Sequence, residues 1–338
     1  MSQAVGSLSR VRCVASGGSF QAVLVISFGG PAGPDDVRPF LANVLRGRRV
    51  PPERVEQVAG HYELFGGVSP LTGLTFRQAR GLEQRLRAAG LELPVFVGMR
   101  NWHPFLADVL ADMSERGIRR AVGFIAAAHG SYSSCTQYKE NVRAAREELA
   151  RRGRPDVAVT YVEPWFEHPG FIEANADHAR QALSRLDADL RERARIVFTA
   201  HSIPRPMADT CRYQQQLEQS CRLVMERLGR TDWALVWQSR SGRPADPWLE
   251  PDVNDYLRGA RADGLAAAVL VPIGFLCDHV EVLYDLDHEA AATCRQVGLP
   301  MTRASTVNDH PAFLDAMADA VRKTWARFER FPPLEIVR

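Results

Sequence analysis

Four side chains in this sequence have the types and spacing for metal and proton chemistry: His201, Glu281, Asp285 and Glu289. The three carboxylates stand at i, i+4 and i+8. On an α-helix each four-residue step drifts by only about 40°, so they share one face. Imidazole, with an unperturbed pKa of about 6.5, takes a proton or binds a divalent metal at neutral pH. Thiolates would hold a metal tightly, as in structural zinc sites, whereas one histidine with carboxylates is a looser, harder set that suits ferrous or other divalent ions in transit. Such a set hands a metal over, but does not by itself name the acceptor. The ordinary explanation for charges at this spacing is a solvated helix face. Here, however, they follow directly on a buried strand and Phe275-Leu276-Cys277, where solvent is scarce.

Two other chemistries fail on their own motifs. His279-Val280-Glu281 has the His-x-Glu of zinc deaminases without the Pro-Cys-x-x-Cys that must accompany it. Phe28-Gly29-Gly30-Pro31 is not Gly-x-Gly-x-x-Gly, and no Walker lysine follows a glycine loop, so dinucleotide and P-loop binding are excluded.

The elements that must position these residues are strands. Ile196 to Ala200 is an apolar run closed by His201 and then by Ser202-Ile203-Pro204, which bars a helix, so the histidine is delivered to a strand tip. Ala266 to Pro272 is a second buried strand, leading into the acidic stretch. Similar runs occur at Ala22–Ser27, Leu93–Gly98, Ala121–Ala126, Val157–Val162, Trp233–Trp237 and Leu299–Ala304. Amphipathic helical patterns lie between them, among them Phe76–Ala89, Pro104–Arg116 and Lys139–Arg151. Near-continuous apolar strands alternating with helices predict parallel sheets covered on both faces. Two copies of a four-stranded unit are implied, and Gly117 and Gly264 mark matching helix ends before the third strand of each. Pro164 to Gly170 breaks both periodicities. The expected division is a tail at 1–20, a first α/β unit at 21–165 and a second at 166–330, whose last helix, around Ala312 to Arg327, is free to pack on the first unit. Ligands of open α/β sheets sit beyond the carboxyl ends of the strands. That rule selects Phe28–Pro31, His129–Tyr132, His201–Pro204 and Gly274–Glu281 as the walls of one crevice.

Composition bounds the rest. The 338 residues, 46% hydrophobic and 24% charged, build ample core, and a net charge of +2 makes no demand for nucleic acid. Only Lys139 and Lys323 are lysines, so 40 of the 42 cations are arginines, which suit planar carboxylates through bidentate bonds. The six cysteines form no Cys-x-x-Cys pair and read as free thiols of a reducing cytosol. No secretory signal is seen in residues 1–20, and no apolar run approaches the roughly 20 residues of a membrane span, so any membrane contact is expected to be peripheral.

Ala200-His-Ser-Ile-Pro204 and the run from Pro272 to Asp287 resemble the two diagnostic segments of the ferrochelatases, enzymes that insert Fe²⁺ into a porphyrin in haem synthesis. Phe28-Gly-Gly-Pro31, Gly66-Gly-Val-Ser-Pro-Leu71, Val97-Gly-Met-Arg-Asn-Trp102 and Gln238-Ser-Arg-Ser-Gly242 with Trp248-Leu-Glu-Pro251 support the resemblance, which covers about residues 21 to 328. It implies a chelatase-like α/β fold: two Rossmann-like domains, each a four-stranded parallel sheet flanked by helices, with the active-site cleft between them. It also implies that His201 and Glu281 flank the metal above the porphyrin plane, with Asp285 and Glu289 continuing an acidic path. Two pyrrole protons must leave as the metal enters, so a base is needed near the ring centre, and His201 is the candidate. Phe28 stands where some soluble bacterial members carry an axial tyrosine. Ser69 and Tyr132 align with positions that contact the porphyrin, and Arg46 lies one position beyond a propionate-binding arginine, whose aligned residue here is Leu45.

Tyr132 to Asn141 resembles the bacterial group that uses coproporphyrin III. In that group the counterpart of Cys135 joins three C-terminal cysteines around a [2Fe–2S] cluster. No cysteine follows Cys294, so a cluster is not expected, no cofactor is expected to be permanently bound, and Fe²⁺ is a substrate. Coproporphyrin III is the favoured porphyrin. Phe28 leaves protoporphyrin IX as an alternative, beside a chelatase for another metal or tetrapyrrole and a two-domain carrier that binds without catalysis. Haem-pathway enzymes are the expected partners.

Overall fold

The computed structural model describes residues 19–47, 50–243 and 245–330, so the tail expected at 1–20 lies almost wholly outside the described residues. Eight strands form where the apolar runs predict them: β1 Ala22–Ser27, β2 Val95–Met99, β3 Arg120–Ile125, β4 Ala158–Tyr161, β5 Ala194–His201, β6 Trp233–Gln238, β7 Ala267–Val271 and β8 Met301–Arg303. Every residue of β1 and β7 is buried, as expected of strands covered on both faces. Among the described residues these strands pair in parallel and build two four-stranded sheets, ordered β2-β1-β3-β4 and β6-β5-β7-β8. The two orders are the same when each half is numbered from its own first strand, which is the repeat implied by the sequence. Gly117 and Gly264 adopt φ of 79° and 92°, the left-handed conformation that ends a helix without a Cβ penalty.

One apolar core spans both halves, from Phe20, Val23 and Phe124 through Trp165 and Phe171 to Phe198, Val269 and Phe313. Smaller clusters fill the outer face of each sheet, and another lies under the helices Val37–Val44 and Pro52–Glu63. The terminal helix Pro311–Arg330 touches both halves. Arg85 of the helix Pro70–Ala88 pairs with Asp315, and His168, which caps the helix Pro169–Ser184, bonds Asp319 at 2.9 Å. Two glycines permit these crossings: a Cβ on Gly81 would lie 2.5 Å from Leu314 Cδ1, and one on Gly170 would lie against the Ala312 carbonyl.

The strand ends meet across the halves. Gly130, after β3, donates its N–H to Gln216 Oε1 at 2.6 Å, and Gln78 Nε2 donates to the Asn308 carbonyl at 2.7 Å. His129 departs from expectation. It is buried, at 3% exposure, and bonded to Ser220 Oγ at 3.0 Å, so it joins the halves instead of lining a crevice.

Candidate active site

His201 ends β5 opposite Gln238 of β6, and its neighbourhood is held from three sides. Ser202 N–H donates to the Gln238 carbonyl at 2.8 Å, Ser202 Oγ donates to Leu249 O at 2.8 Å, and Tyr213 OH donates to the His201 carbonyl at 3.1 Å. Nδ1 of His201 lies 2.5 Å from the Ser202 carbonyl oxygen, which can only accept, so the N–H is at Nδ1 and the Nε2 lone pair is free in the neutral ring. Nε2 faces Glu281 Oε1 at 3.6 Å.

Glu281 reaches this position through the turn that follows β7. Gly274 is pressed onto the tip of β5: a Cβ there would sit 2.6 Å from Ala200 Cβ. Only glycine allows that approach. His279 then caps the next helix, its Nδ1 accepting from Val282 N–H at 3.4 Å. Glu281 lies in the first turn, where the helix dipole favours an anion. The helix is not the plain α-helix expected of the acidic stripe. It is α-helical at Val280–Val282, π-helical over Leu283–Ala290 and α-helical again at Ala291–Val297. In an α-helix four residues overshoot a turn by about 40°, whereas in the wider π-turn, closed by i→i+5 bonds, they fall short of one. The wide turn therefore counters the drift that a plain α-helix would give Asp285 and Glu289 relative to Glu281.

Burial alone would lower the pKa of His201. The Glu281 carboxylate, the Ser202 carbonyl and the field of Asp285 outweigh it and raise the pKa above the ordinary imidazole value. Glu281 moves the other way: burial would raise it, but His201, His279 and His61 hold it well below the usual carboxylate range. The side chains stay 35% and 48% exposed, so water and ions reach the pair and screen it. Asp285 is pushed up to about 7 by burial and by Glu281, against hydrogen bonds from Ser239 and Gln238. Glu289 is raised, chiefly by burial. The stripe thus carries an anionic carboxylate next to the histidine, and beyond it Asp285 and Glu289, both held above the usual carboxylate range. Among the described residues no group of three or more His, Cys, Asp or Glu side chains is arranged to hold a metal ion. His201 and Glu281 bring two potential donor side chains together at 3.6 Å.

The residues expected to face a porphyrin are placed as follows. Phe28, just after β1, is half-buried and meets Phe40 edge-on. Arg46 donates to Asn43 Oδ1 at 2.6 Å, Asn43 donates to the Asn101 carbonyl, and Asn101 donates to the Phe28 carbonyl. That chain of contacts ties Arg46 and Phe28 into one loop cluster. Ser69 is buried. Its Oγ accepts from Leu71 N–H at 3.4 Å as a helix cap, and Gly30 allows the close approach, since a Cβ there would lie 2.5 Å from Ser69 Cβ. Tyr132 is exposed, with its hydroxyl donating to Glu140 at 3.0 Å.

Several residues of the site carry no signature that sequence reading could use. His61, on Pro52–Glu63, stacks on Tyr284 with centroids 3.5 Å apart, bringing the first half up to the acidic helix. Ser239, at φ 58°, donates to Asp285 Oδ2 from a left-handed backbone that serine rarely adopts. Arg100, after β2, lies over Phe28 and Tyr138, at 5.7 and 4.8 Å from the ring centroids.

A family model described as Ferrochelatase matches residues 20–325. The chain belongs to the ferrochelatase family. It is 46% identical over 316 residues to a Ferrochelatase of Rhodopirellula baltica, covering 93% of this chain and 89% of that one. Identity to Coproporphyrin III ferrochelatase of Mycolicibacterium vanbaalenii is 44%, covering 90% and 89% of the two chains, and to that of Nocardia farcinica 45%, covering 90% and 88%. Among solved structures, SirB from Bacillus subtilis with Fe³⁺ superposes with a TM-score of 0.58 at 13% identity, over 94% of this chain and all of that one. The sirohydrochlorin chelatase SirB from Bacillus subtilis subspecies spizizenii with cobalt gives 0.55 at 12% identity, over 94% and 100%. At such identities the likeness concerns the fold: two Rossmann-like, chelatase-type units. As a ferrochelatase, the chain is a lyase of haem biosynthesis whose substrates are a porphyrin and iron. No helix among the described residues is long and apolar enough to cross a membrane.

Proposed function

We propose that this ferrochelatase inserts Fe²⁺ into coproporphyrin III, with His201 as the base for the pyrrole protons and Glu281 as its partner in receiving iron. The observation that carries the assignment is His201 Nε2 facing Glu281 Oε1 at 3.6 Å, with both side chains partly open to solvent. Neutral His201 takes a pyrrole proton as the metal enters, and the adjacent carboxylate stabilises the imidazolium that results. Asp285, with a pKa of about 7, is matched to neutral pH for passing that proton toward Glu289. Phe28, Arg46, Ser69 and Tyr132 are assigned to the porphyrin.

Two relatives named for coproporphyrin III, and an arginine-dominated cation set suited to carboxylates, support that porphyrin as substrate. Phe28, in place of an axial tyrosine, makes protoporphyrin IX the second reading. The proposed setting is the cytosol, among haem-pathway enzymes, with no iron–sulfur cluster bound.

Parallel insertion assays with coproporphyrin III and protoporphyrin IX test the substrate, and equal efficiencies would remove the argument from propionates. His201→Ala is expected to lower kcat by at least about a hundredfold, the smaller end of general-base contributions. Intact turnover would sink His201 as the base.

A further inference from the structure

A π-helix of eight residues persists only where its surroundings over-determine it, because a one-residue slip to α-register rotates the following side chains by about 100°. The face bearing Glu281, Asp285 and Glu289 is held from the β5–β6 side by Ser239 and Gln238 on Asp285. The opposite side is held by Arg303, the last residue of β8, whose strand lies on the other side of β7. Its side chain is only 13% exposed, and its guanidinium grips two carboxylates at once. Nε and Nη2 donate to the two oxygens of Asp287 at 2.6 and 2.8 Å, a bidentate fork inside the π-turn. Nη1 donates to Asp278 Oδ1 at 2.8 Å, in the turn before the helix begins.

Asp278 is itself anchored. Its carboxylate accepts from Asn308 Nδ2 at 2.7 Å and Thr306 N–H at 3.2 Å, and Asn308 is strained at φ 42°. The guanidinium therefore spans an anchored carboxylate ahead of the helix and a second one within the π-turn.

Resting on the ferrochelatase reading of this site, we propose that Arg303 and Asp287 are positioning residues: a brace that sets the register of the wide turn and so keeps Asp285 and Glu289 aligned with Glu281 for the metal. Neither residue is among those assigned above to the metal or to the porphyrin. Loss of the brace should therefore fall on metal handling alone.

Asp287 is half-exposed, and Asp287→Ala leaves the Arg303–Asp278 pair intact, so the fold is expected to survive. Steady-state insertion of Fe²⁺ into coproporphyrin III should then show the KM for iron raised about tenfold and that for porphyrin within about twofold of wild type. Arg303→Lys, which keeps the charge and loses the fork, should move the same way, and Asp287→Glu should recover most of the loss. Amide hydrogen exchange on Asp287→Ala needs no turnover: residues 283–290 should exchange faster while β5 and β7 keep their protection. An inactive wild type would sink the ferrochelatase reading, with exchange still judging the brace. Unchanged iron KM in an active enzyme, unchanged exchange at 283–290, or a parallel rise in both KM values with protection lost throughout would overturn it.

Discussion

At the residue scale, His201 and Glu281 face a conflict that only their geometry resolves. In the proposed mechanism an anionic Glu281 helps receive a divalent ion, yet the same charge raises the pKa of His201, and a base must be neutral to accept a proton. Below its raised pKa His201 is protonated and idle. As pH rises through that value, activity should rise with it, so the acid limb of kcat/KM is expected above the ordinary imidazole pKa of about 6.5. Glu281→Gln removes the carboxylate that outweighs burial. The limb should then move toward lower pH even as metal insertion weakens. A pH profile of the variant decides the matter: a limb that stays in place would mean that Glu281 does not set the charge of His201. The profile should also be broad, because Asp285 titrates near 7 in the same window.

At the element scale, the site exists because a strand tip and a helix start are brought closer than side chains normally permit. Gly274 against Ala200 is the contact that sets this distance. Gly274→Ala should cost about 1–3 kcal/mol, as overpacking does, measured by urea denaturation, and should lower kcat/KM by displacing Glu281 from His201. Stability and activity both at wild-type level would show the contact to be dispensable. The same scale shows what was legible beforehand. Buried runs such as Ala22–Ser27 announce strands because they are short, almost wholly apolar and rich in β-branched residues, and the strand ends lead directly to His201 and Glu281. The helix expected from Phe76 begins instead at Pro70, since Ser69 caps it and proline tolerates the first turn. The π-turn at Leu283–Ala290 left no trace, because carboxylates every fourth residue are equally the mark of an α-helix. What holds it, His61, Ser239 and Arg303, is remote in sequence and visible only once the chain is folded.

At the scale of the whole molecule, the two halves share one core, so their relative position, and with it the width of the cleft, depends on a few polar links through that core. His129 is one of them, at 3% exposure. It packs against Phe171 and Tyr213, bonds Ser220, and burial alone pushes its pKa down to about 3. The folded protein keeps this imidazole neutral, whereas the unfolded chain protonates it at about 6.5. Its contribution to stability is therefore complete above that pH and is lost as pH falls toward the folded value, by up to about 1.4 kcal/mol per pH unit. Ordinary carboxylates begin to protonate below about 5, and the raised Asp285 and Glu289 titrate alike in wild type and variant, so between pH 5 and 6.5 the difference between the two proteins reports His129. His129→Phe keeps the aromatic packing and removes both the Ser220 bond and the titration. It should be less stable than wild type at pH 7.5 and lose less stability on acidification to pH 5, shown by urea denaturation at each pH. A variant whose acid sensitivity matches wild type would place that sensitivity in other groups and leave His129 as a packing residue alone.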